Sequence, residues 1–406
     1  MVPKGWELKK LEELATVERG KFSARPRNDP KYYGGDIPFV QTGDITAAKT
    51  YLSSFNQTLN EDGLKVSRLF PKNTILITIA ANIGDTAITL FEVSCPDSLV
   101  GIQARKGVDC VWLNSYLETC KDELDGKATQ NAQKNINLQV LKPLSVLTPP
   151  PEEQQKIAKI LLTWDSAIST TDKLIANSKQ QKKALMQQLL TGKKRLVNPE
   201  TSEEFSGGWE EVHLGEVTQF IKDGTHGTHK RYEVGVPMLS AVNITKQHSI
   251  SFDAAPKISE TDYEKIHSKY QIEKGDILLT VVGTLGRVAL VEVDTKFTLQ
   301  RSVAIIRVSS RATNQFLKQL FSSISFNQLL HRKSNSTAQA GVYLGELAKI
   351  KLLLPSIEEQ QKIATVLTAA DKETELLEAK LAHLKQEKKS LMQQLLTGKR
   401  RVKIAA

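Results

Sequence analysis

Cysteine is scarce in this chain of 406 residues, and the three cysteines show no pattern of a covalent or metal-bound framework. Cys95, Cys110 and Cys120 are odd in number and lack the CxxC spacing of zinc or redox sites. Long apolar runs are also missing, so no stretch predicts a membrane span, and no segment has the pattern of a signal peptide. These absences predict a reduced, cytoplasmic protein without disulfides and without a membrane partner.

Sequence patterns of catalysis are absent as well. The chain has no GxxxxGK(S/T) phosphate loop, no GxSxG elbow, no HExxH pair and no glycine-rich turn that would hold a cofactor. Residues 148–151 (TPPP) lack the acidic or amide residue and the aromatic that flank Pro-Pro in amino-methyltransferases. His226 and His229 have no cysteine or carboxylate ligand set beside them, so we predict no metal site. A standalone nuclease or methyltransferase is therefore disfavoured.

Positive charge is in excess. Lys and Arg number 55 against 45 Asp and Glu, which gives a formal net charge of +10 and a pI of about 9.2. This balance favours a nucleic-acid partner, because Lys and Arg neutralise phosphates. The length predicts two or three domains.

One segment of the sequence occurs twice. Residues 152–158 (EEQQKIA) recur at 358–364, and residues 185–193 (LMQQLLTGK) recur at 391–399, both at an offset of 206. A surface loop would tolerate changes of length between such matching ends. The constant length therefore predicts that the distance between the two ends matters.

Each copy predicts a long helix with a heptad seam. Prolines precede both copies, carboxylates occupy the first turns, and glycines follow as helix stops. Polar seam positions such as Lys182 and Lys388 favour pairing of the two helices with each other, while the alternative is two amphipathic helices packed on separate cores. The predicted apolar seam comprises Ile157, Leu161, Trp164, Ile168, Ile175, Leu185 and Leu189, then Ile363, Leu367, Leu377, Leu381, Leu384, Leu391 and Leu395.

The segment before each helix is also duplicated. Gly5-Trp6-Glu7 returns as Gly208-Trp209-Glu210, and the stretch 72–78 (KNTILIT) returns at 274–280 (KGDILLT). The predicted fold is α+β, with two homologous α/β domains, two long helices in an antiparallel coiled coil, and a pseudo-two-fold internal repeat. The predicted boundaries are a first domain at 1–150, a helix at 151–192, a linker at 193–208, a second domain at 209–355, a helix at 356–399 and a basic tail at 400–406.

The two domains match in scaffold and differ in their loops. The first carries a basic loop between residues 19 and 35, and the second carries GTHGTHKR at 224–231. Lys and Arg bind phosphates, and Arg, Asn, Gln and Thr also contact base edges in the major groove. A solvated basic loop is the alternative for either one alone, but two loops at matching places favour binding.

The paired motifs EEQQKIA and LMQQLLTGK, together with the Trp-Glu openings, resemble the specificity subunit of type I restriction-modification systems. The resemblance covers essentially the whole chain. It implies two target recognition domains, each recognising half of a split, asymmetric site in double-stranded DNA, with the helix pair setting the gap. It also implies two methyltransferase subunits that use S-adenosylmethionine, and restriction subunits that use ATP and Mg²⁺. No cofactor is then expected in this chain.

Individual base contacts are not implied by the resemblance, so candidates rest on position and chemistry. Two alternatives stay open: a specificity subunit of a fused restriction-and-methylation enzyme, and a coiled-coil scaffold without a DNA role. The candidates in the first domain are Arg19, Lys21, Arg25, Arg27, Asn28, Tyr32, Thr42, Gln133 and Lys134. Those in the second domain are Lys222, Thr225, His226, His229, Lys230, Arg231, Asn243, Asn335, Thr337 and Gln339.

Overall fold

The computed structural model describes residues 2–128, 134–334 and 340–404, and the chain divides into two compact units. Unit 1 comprises Met1–Lys173 and Ala379–Ala406, and unit 2 comprises Leu174–Glu378. The division cuts both long helices near their middles. Each unit therefore combines one α/β domain with segments of both helices. Among the described residues, no helix has the length and apolar character needed to cross a membrane.

The strands of unit 1 are β1 (Glu7–Lys10), β2 (Ala15–Arg19), β3 (Tyr33–Phe39), β4 (Tyr51–Leu52), β5 (Gln57–Leu59), β6 (Leu69–Phe70), β7 (Ile75–Thr78), β8 (Thr86–Thr89), β9 (Val93–Ser94), β10 (Leu99–Ala104) and β11 (Ser145–Thr148). They form two sheets, in the orders β2-β10-β7-β8-β4 and β5-β3-β9-β6, and a separate β1-β11 pair. Its helices before the first long one are α1 (Leu11–Leu14), α2 (Thr42–Ala47), α3 (Glu61–Lys65), α4 (Cys110–Thr119), α5 (Lys121–Gly126) and α6 (Leu138–Leu141).

The central strand β7 is covered on both faces. Ile75 and Ile77 belong to the core cluster that contains Trp112, and Leu76 belongs to the cluster on the other side with Phe70. A strand buried on both faces needs an uninterrupted apolar run, which explains the sequence TILIT here.

Unit 2 repeats this plan with strands β12 (Glu210–His213), β13 (Thr218–Asp223), β14 (Val236–Leu239), β15 (Lys257–Ile258), β16 (Ile277–Thr280), β17 (Val288–Leu290), β18 (Thr298–Leu299), β19 (Val303–Val308) and β20 (Lys351–Leu354). They form two sheets, in the orders β13-β19-β16-β17 and β15-β14-β18, and a separate β12-β20 pair. The long helices are α7 (Pro151–Leu189) and α12 (Ile357–Leu395), and unit 2 also contains α8 (Glu260–Ile266), α9 (Asn314–Ser322), α10 (Ile324–Lys333) and α11 (Leu344–Ala348).

Helices α7 and α12 are both 39 residues long. Every predicted apolar seam position is buried or half-buried. In unit 2, Ser178 Oγ lies 2.8 Å from Thr374 Oγ1, and Lys182 pairs with Asp371. The residue numbers rise along one helix while those of the partners fall, so the predicted antiparallel pairing is confirmed.

The ends of the long helices pack on the domain cores. Leu395 and Leu396 belong to the core of unit 1, together with Ile157 and Leu161 of α7. In unit 2 the corresponding residues are Leu189 and Leu190 from α7, with Ile363 and Leu367 from α12. Packing on separate cores thus describes the helix ends, whereas the middles pair with each other.

The repeated glutamines attach each helix start to its domain. Gln154 Nε2 donates to Pro149 O at 2.9 Å, and its Oε1 accepts from the Asp109 backbone N–H at 2.9 Å. Gln360 does the same with Pro355 O at 3.0 Å and the Thr313 N–H at 2.9 Å. Both side chains are buried. This bonding explains why the EEQQ motif occurs twice.

The repeated glutamates bind the basic residues that follow each helix. In unit 2, Arg195 Nε and Nη2 donate to Glu359 Oε1 and Oε2 at 2.6 and 2.7 Å. In unit 1, Arg401 Nε donates to Glu153 Oε2 at 2.9 Å. Both carboxylates are almost fully buried. A buried carboxylate needs such a partner, because unpaired burial of a charge is costly.

Candidate nucleic-acid interface

The two loops named from the sequence begin at glycines in equivalent places. Gly20 follows β2 and its N–H donates to Leu99 O at 2.9 Å, while Gly224 follows β13 and donates to Val303 O at 3.1 Å. A Cβ on Gly20 would lie 2.2 Å from Pro96 O, and one on Gly224 would lie 2.1 Å from Leu299 O. Only glycine fits so close to a neighbouring backbone. Both loops therefore leave their sheets at the same point.

In unit 1 this loop brings two predicted arginines to one residue, Asp97. Arg19 Nε donates to the Asp97 carbonyl oxygen at 2.6 Å, and Arg27 Nη2 lies 3.2 and 3.1 Å from Asp97 Oδ1 and Oδ2. Arg27 and Asp97 are about half exposed, so the pair adds little stability and mainly orients the guanidinium. Asp97 was not predicted from sequence, because it lies 70 residues from Arg27 in the chain.

A third guanidinium joins this group. Arg68 Nη1 donates to the Arg19 carbonyl oxygen at 2.8 Å and its side chain is partly exposed. The sequence analysis missed Arg68, which stands alone between apolar and polar residues and outside the basic loop. The structure thus assembles Arg19, Arg27 and Arg68 on one surface of unit 1.

Aromatic side chains stabilise the basic loop of unit 1. Tyr32 packs edge-on against buried Phe22 with ring centroids 6.1 Å apart, and the Tyr33 hydroxyl donates to Arg27 O at 2.6 Å. Tyr32 is half-buried and therefore anchors the loop. The other predicted loop residues, Lys21, Arg25 and Asn28, are exposed.

Among the described residues, Thr42 and Lys134 form no hydrogen bond or ion pair with this group. Thr42 is half-buried in the first turn of α2. Lys134 Nζ is bound to Asp125 Oδ2 at 2.6 Å, beside α5. Gln133 lies outside the described residues.

The loop of unit 2 is held by its own side chains. The Gly227 N–H donates to Thr225 Oγ1 at 3.2 Å, and the same hydroxyl lies 3.0 Å from His229 Nε2. His226 Nε2 donates to Asp223 Oδ2 at 2.7 Å and remains exposed. These bonds give the loop a defined conformation.

The basic side chains of unit 2 fall into two groups. Lys222 Nζ lies 4.5 Å from the Tyr270 ring centroid and Lys230 Nζ lies 5.6 Å from that of Tyr232, so aromatic rings position both ammonium groups. Arg231 and Arg301 are exposed, and across residues 2–128, 134–334 and 340–404 their guanidinium groups have no hydrogen-bond or ion-pair partner.

Arg301 is a further candidate that the sequence analysis missed. Its backbone N–H donates to Thr225 O at 3.1 Å, which places it at the base of the loop. Leu99 and Val303 occupy matching places at the starts of β10 and β19. Arg301 therefore stands where unit 1 has Asp97, and the two units carry opposite charges at one position.

Asn243 is a buried residue whose side chain stabilises a backbone turn. It is 5% exposed, its Oδ1 accepts from the Ser240 N–H at 3.0 Å, and its Nδ2 donates to Ser251 O at 3.1 Å. Asp44 caps the equivalent turn in unit 1. In this conformation the Asn243 amide is engaged and turned away from solvent, so it holds a turn. Asn335, Thr337 and Gln339 lie outside the described residues.

Two cysteine thiols are held in their protonated form. Burial raises the pKa of the Cys95 and Cys110 thiols to about 12, so both stay protonated at neutral pH. In the part of the chain that the structure describes, no three His, Cys, Asp or Glu side chains group in a way that could hold a metal ion.

Comparison with known proteins decides the family. The model of the type I restriction modification DNA specificity domain matches residues 3–179 and 206–386. The chain belongs to the specificity subunits of type I restriction-modification systems. This specificity subunit is non-catalytic and carries two target recognition domains, and the cofactors of such systems reside on the other subunits.

Curated relatives of this specificity subunit come from archaea and bacteria. It is 26% identical over 412 residues to the MjaVIII specificity subunit of Methanocaldococcus jannaschii, with 99% of this chain and 94% of the relative covered. Over 109 residues it is 36% identical to the EcoBI specificity subunit of Escherichia coli, covering 26% and 23% of the two chains. The prediction of a type I specificity subunit is confirmed.

Solved structures agree in fold. The S subunit from M. genitalium superposes with a TM-score of 0.60 at 16% identity and covers 100% of this chain and 97% of its own. The HsdS subunit from Thermoanaerobacter tengcongensis gives 0.51 at 17% identity, with 98% of both chains covered. The predicted α+β fold, with two recognition domains and two antiparallel helices, is therefore confirmed.

Proposed function

We propose that each unit recognises one half of a split, asymmetric site in double-stranded DNA, and that the helix pair sets the gap between the halves. The observation that carries this proposal is a matched scaffold with unmatched loops. The loops start at equivalent glycines, yet one presents arginines bound to Asp97 and the other a histidine-rich turn beside Arg301. Two different surfaces on one fold are suited to two different base sequences.

The contacts expected at each half-site follow from the side chains. Exposed Arg27 and Arg301 carry the planar guanidinium that binds a guanine edge through two hydrogen bonds. Lys21, Lys230 and Arg231 are exposed cations suited to phosphates. Phosphate contacts position the duplex, and the loop residues then supply sequence discrimination.

The gap is assigned to the helices because their length is equal in both copies. At about 1.5 Å per residue, 39 helical residues measure roughly 58 Å. Half-sites on the same face of B-DNA are about 34 Å apart for each helical turn. A helix pair of this length is therefore long enough to set such a spacing.

We infer that the partners are two methyltransferase subunits and the restriction subunits of the same system. Family membership supports this inference, as does the likeness in fold to a chain from a study of type I complex assembly, with a TM-score of 0.62. Since the partner is intracellular DNA, we infer that the complex works in the cytoplasm. S-adenosylmethionine, ATP and Mg²⁺ would then act on those partner subunits.

The proposal is tested by reconstitution. The purified chain, incubated with DNA, Mg²⁺, ATP and S-adenosylmethionine, should neither cleave nor methylate. Together with its methyltransferase partner it should methylate one bipartite sequence, mapped by sequencing of modified bases in a random library. A continuous target, or methyl transfer by the pure chain, would contradict the proposal.

A further inference from the structure

A polar junction interrupts the apolar seam in unit 1. Asp165 of α7 accepts from Lys388 Nζ of α12 at 2.6 Å through Oδ1. Its second oxygen, Oδ2, accepts from the Thr50 hydroxyl of the recognition domain at 2.9 Å. The Lys388 side chain is 15% exposed and that of Asp165 is 23% exposed. One carboxylate thus joins both helices and the domain at a largely buried point.

Unit 2 contains the same junction with the helices exchanged. Asp371 of α12 accepts from Lys182 of α7 through Oδ1, and its Oδ2 accepts from Gln319 Nε2 at 2.9 Å. Gln319 belongs to α9 and is buried. The Lys182 side chain is 15% exposed. The domain contact is made by a different residue type in each unit, whereas the lysine and aspartate are the same.

The charges select the antiparallel arrangement. Asp165 and Asp371 are equivalent in the repeat, and so are Lys182 and Lys388, each at the offset of 206. A parallel, in-register pair would set lysine beside lysine and aspartate beside aspartate. The antiparallel pair sets lysine beside aspartate at both places. Buried like charges are strongly unfavourable, so the pattern disfavours the parallel alternative.

The charges also select one register. Leucine and isoleucine seams repeat every heptad, so the seam contacts between the helix middles alone permit a slide by seven residues. Such a slide moves every partner by about 10 Å along the axis. It would break both junctions together and leave two partly buried lysines and two aspartates without partners. A polar seam residue is known to specify register in this way, at some cost in stability.

We propose that Asp165 and Asp371, with Lys388 and Lys182, are positioning residues that fix the register of α7 against α12. Through Thr50 and Gln319, the two aspartates also hold each recognition domain in place at that register. They thereby determine how many base pairs separate the two half-sites. This proposal rests on the proposed function, in which the two domains recognise separate half-sites. It assigns gap selectivity to four side chains at the helix junctions.

The test replaces the four residues by leucine in the full chain, bound to its methyltransferase partner. A substrate library holds both half-sites at gaps from several base pairs below to several above the natural length. The unchanged protein should methylate one gap length. The leucine variant should keep both half-sites but lose its preference for one gap over the others. Methylation confined to the original gap in the leucine variant would overturn the proposal.

A matched control lies on the same two helices. Lys179 Nζ and Glu378 Oε1 form an interhelical ion pair at 2.6 Å, with side chains 59% and 42% exposed. Replacing both by alanine removes a charge pair without burying or unburying a charge. This control should keep a single gap length. A broadened gap in the control would show that any interhelical pair has this effect, and would overturn the special role of the four residues.

Charge exchange provides a second variant in case the leucine protein does not fold. Lys182→Asp alone places two carboxylates together and should weaken methylation at the natural gap. Adding Asp371→Lys restores attraction and should restore the natural gap. Failure of the double exchange to rescue a folded protein would contradict the proposal.

A cross-link reports register without DNA. Ser178 and Thr374 face each other, so cysteines at both positions should form a disulfide in the natural background. The leucine variant should form it less completely. If the leucine variant cross-links as completely as the natural protein, the register proposal alone is overturned. If the natural protein methylates a sequence with only one half-site, the two-domain function is overturned.

Discussion

Units 1 and 2 agree where a domain meets the long helices and differ where the loops reach solvent. Gln154 and Gln360 make the same two hydrogen bonds, and Glu153 and Glu359 bind equivalent arginines. At the loop base, one position holds an aspartate in unit 1 and an arginine in unit 2. Attachment depends on buried polar groups that tolerate little change. Exposed loops carry no such constraint, so they diverge without loss of the fold.

The same comparison extends to the buried surroundings of the two helix junctions. In unit 1 the half-buried Glu118 lies near Lys388, and removal from solvent raises the pKa of its carboxyl above the usual range. In unit 2 the half-buried His248 lies near Lys182, and removal from solvent, with that cation, lowers the pKa of its imidazole. Equivalent junctions are therefore lined by groups that respond to pH in opposite directions.

The largest expected effect comes from making the two units identical. A fragment of residues 1–200 lacks Leu395 and Leu396, which complete the core of unit 1, and Arg401, which binds the buried Glu153. Leu189, Leu190 and Arg195 of a second copy are their equivalents, so the fragment should form a two-fold dimer. With its methyltransferase partner, the dimer should methylate an inverted repeat of one half-site.

Sedimentation and methylation mapping check this prediction. A fragment that stays monomeric at micromolar concentration with the methyltransferase present would contradict it. The full chain, which should remain a single copy and methylate an asymmetric site, is the control.

Lengthening both long helices should lengthen the gap between the two DNA half-sites and leave the half-site sequences unaltered. Insertion of seven residues after Ile175 and after Leu381 keeps the heptad phase and adds about 10 Å. That length corresponds to roughly three base pairs at ~3.4 Å each. Methylation mapped over a series of gap lengths should show the longer gap, and a folded variant confined to the original gap would show that the helices do not set it.

Changing one unmatched loop should affect one half-site alone. Arg27→Ala should relax the sequence preference in the half-site of unit 1, and Arg301→Ala or Arg231→Ala that of unit 2. A base-contacting arginine gives about 1–3 kcal/mol of discrimination, whereas a phosphate-binding one weakens all sequences equally. Methylation rates on single-base variants of the site distinguish these results. Relaxation of the same half-site by Arg27→Ala and Arg301→Ala would contradict the division of labour.

The smallest effects concern pH. Because the pKa of folded Glu118 is raised, its contribution favours folding at low pH and is lost as pH rises through that pKa. Glu118→Gln should therefore stabilise the protein at pH 8 and less so at pH 5. The pKa of folded His248 is lowered, so its contribution favours folding above its usual value and is lost as pH falls. His248→Gln should gain stability relative to the natural protein at pH 5. Denaturant unfolding as a function of pH measures both differences, and a gain in stability that grows in the same pH direction for both variants would contradict the contrast.

Local sequence patterns were enough to predict the duplication, the two long helices and their pairing. Heptad spacing, the prolines before the helices and the offset of 206 act over short stretches or by simple repetition. The basic loops were also found, because their charges cluster within a few residues. The predicted seam positions are buried or half-buried, because burial in a coiled coil follows residue spacing directly.

Tertiary structure decided which of the predicted side chains face solvent and which partners they meet. Arg27 meets Asp97 across 70 residues of chain, and Asn243 turns inward to hold a backbone turn. It also decided that Leu395, near the end of the chain, completes the core of unit 1. Nothing in a local pattern encodes such contacts, because they depend on strand pairing and packing between distant segments. The sequence alone therefore determined a duplicated DNA-recognition fold, and only the folded chain decided which charges it presents.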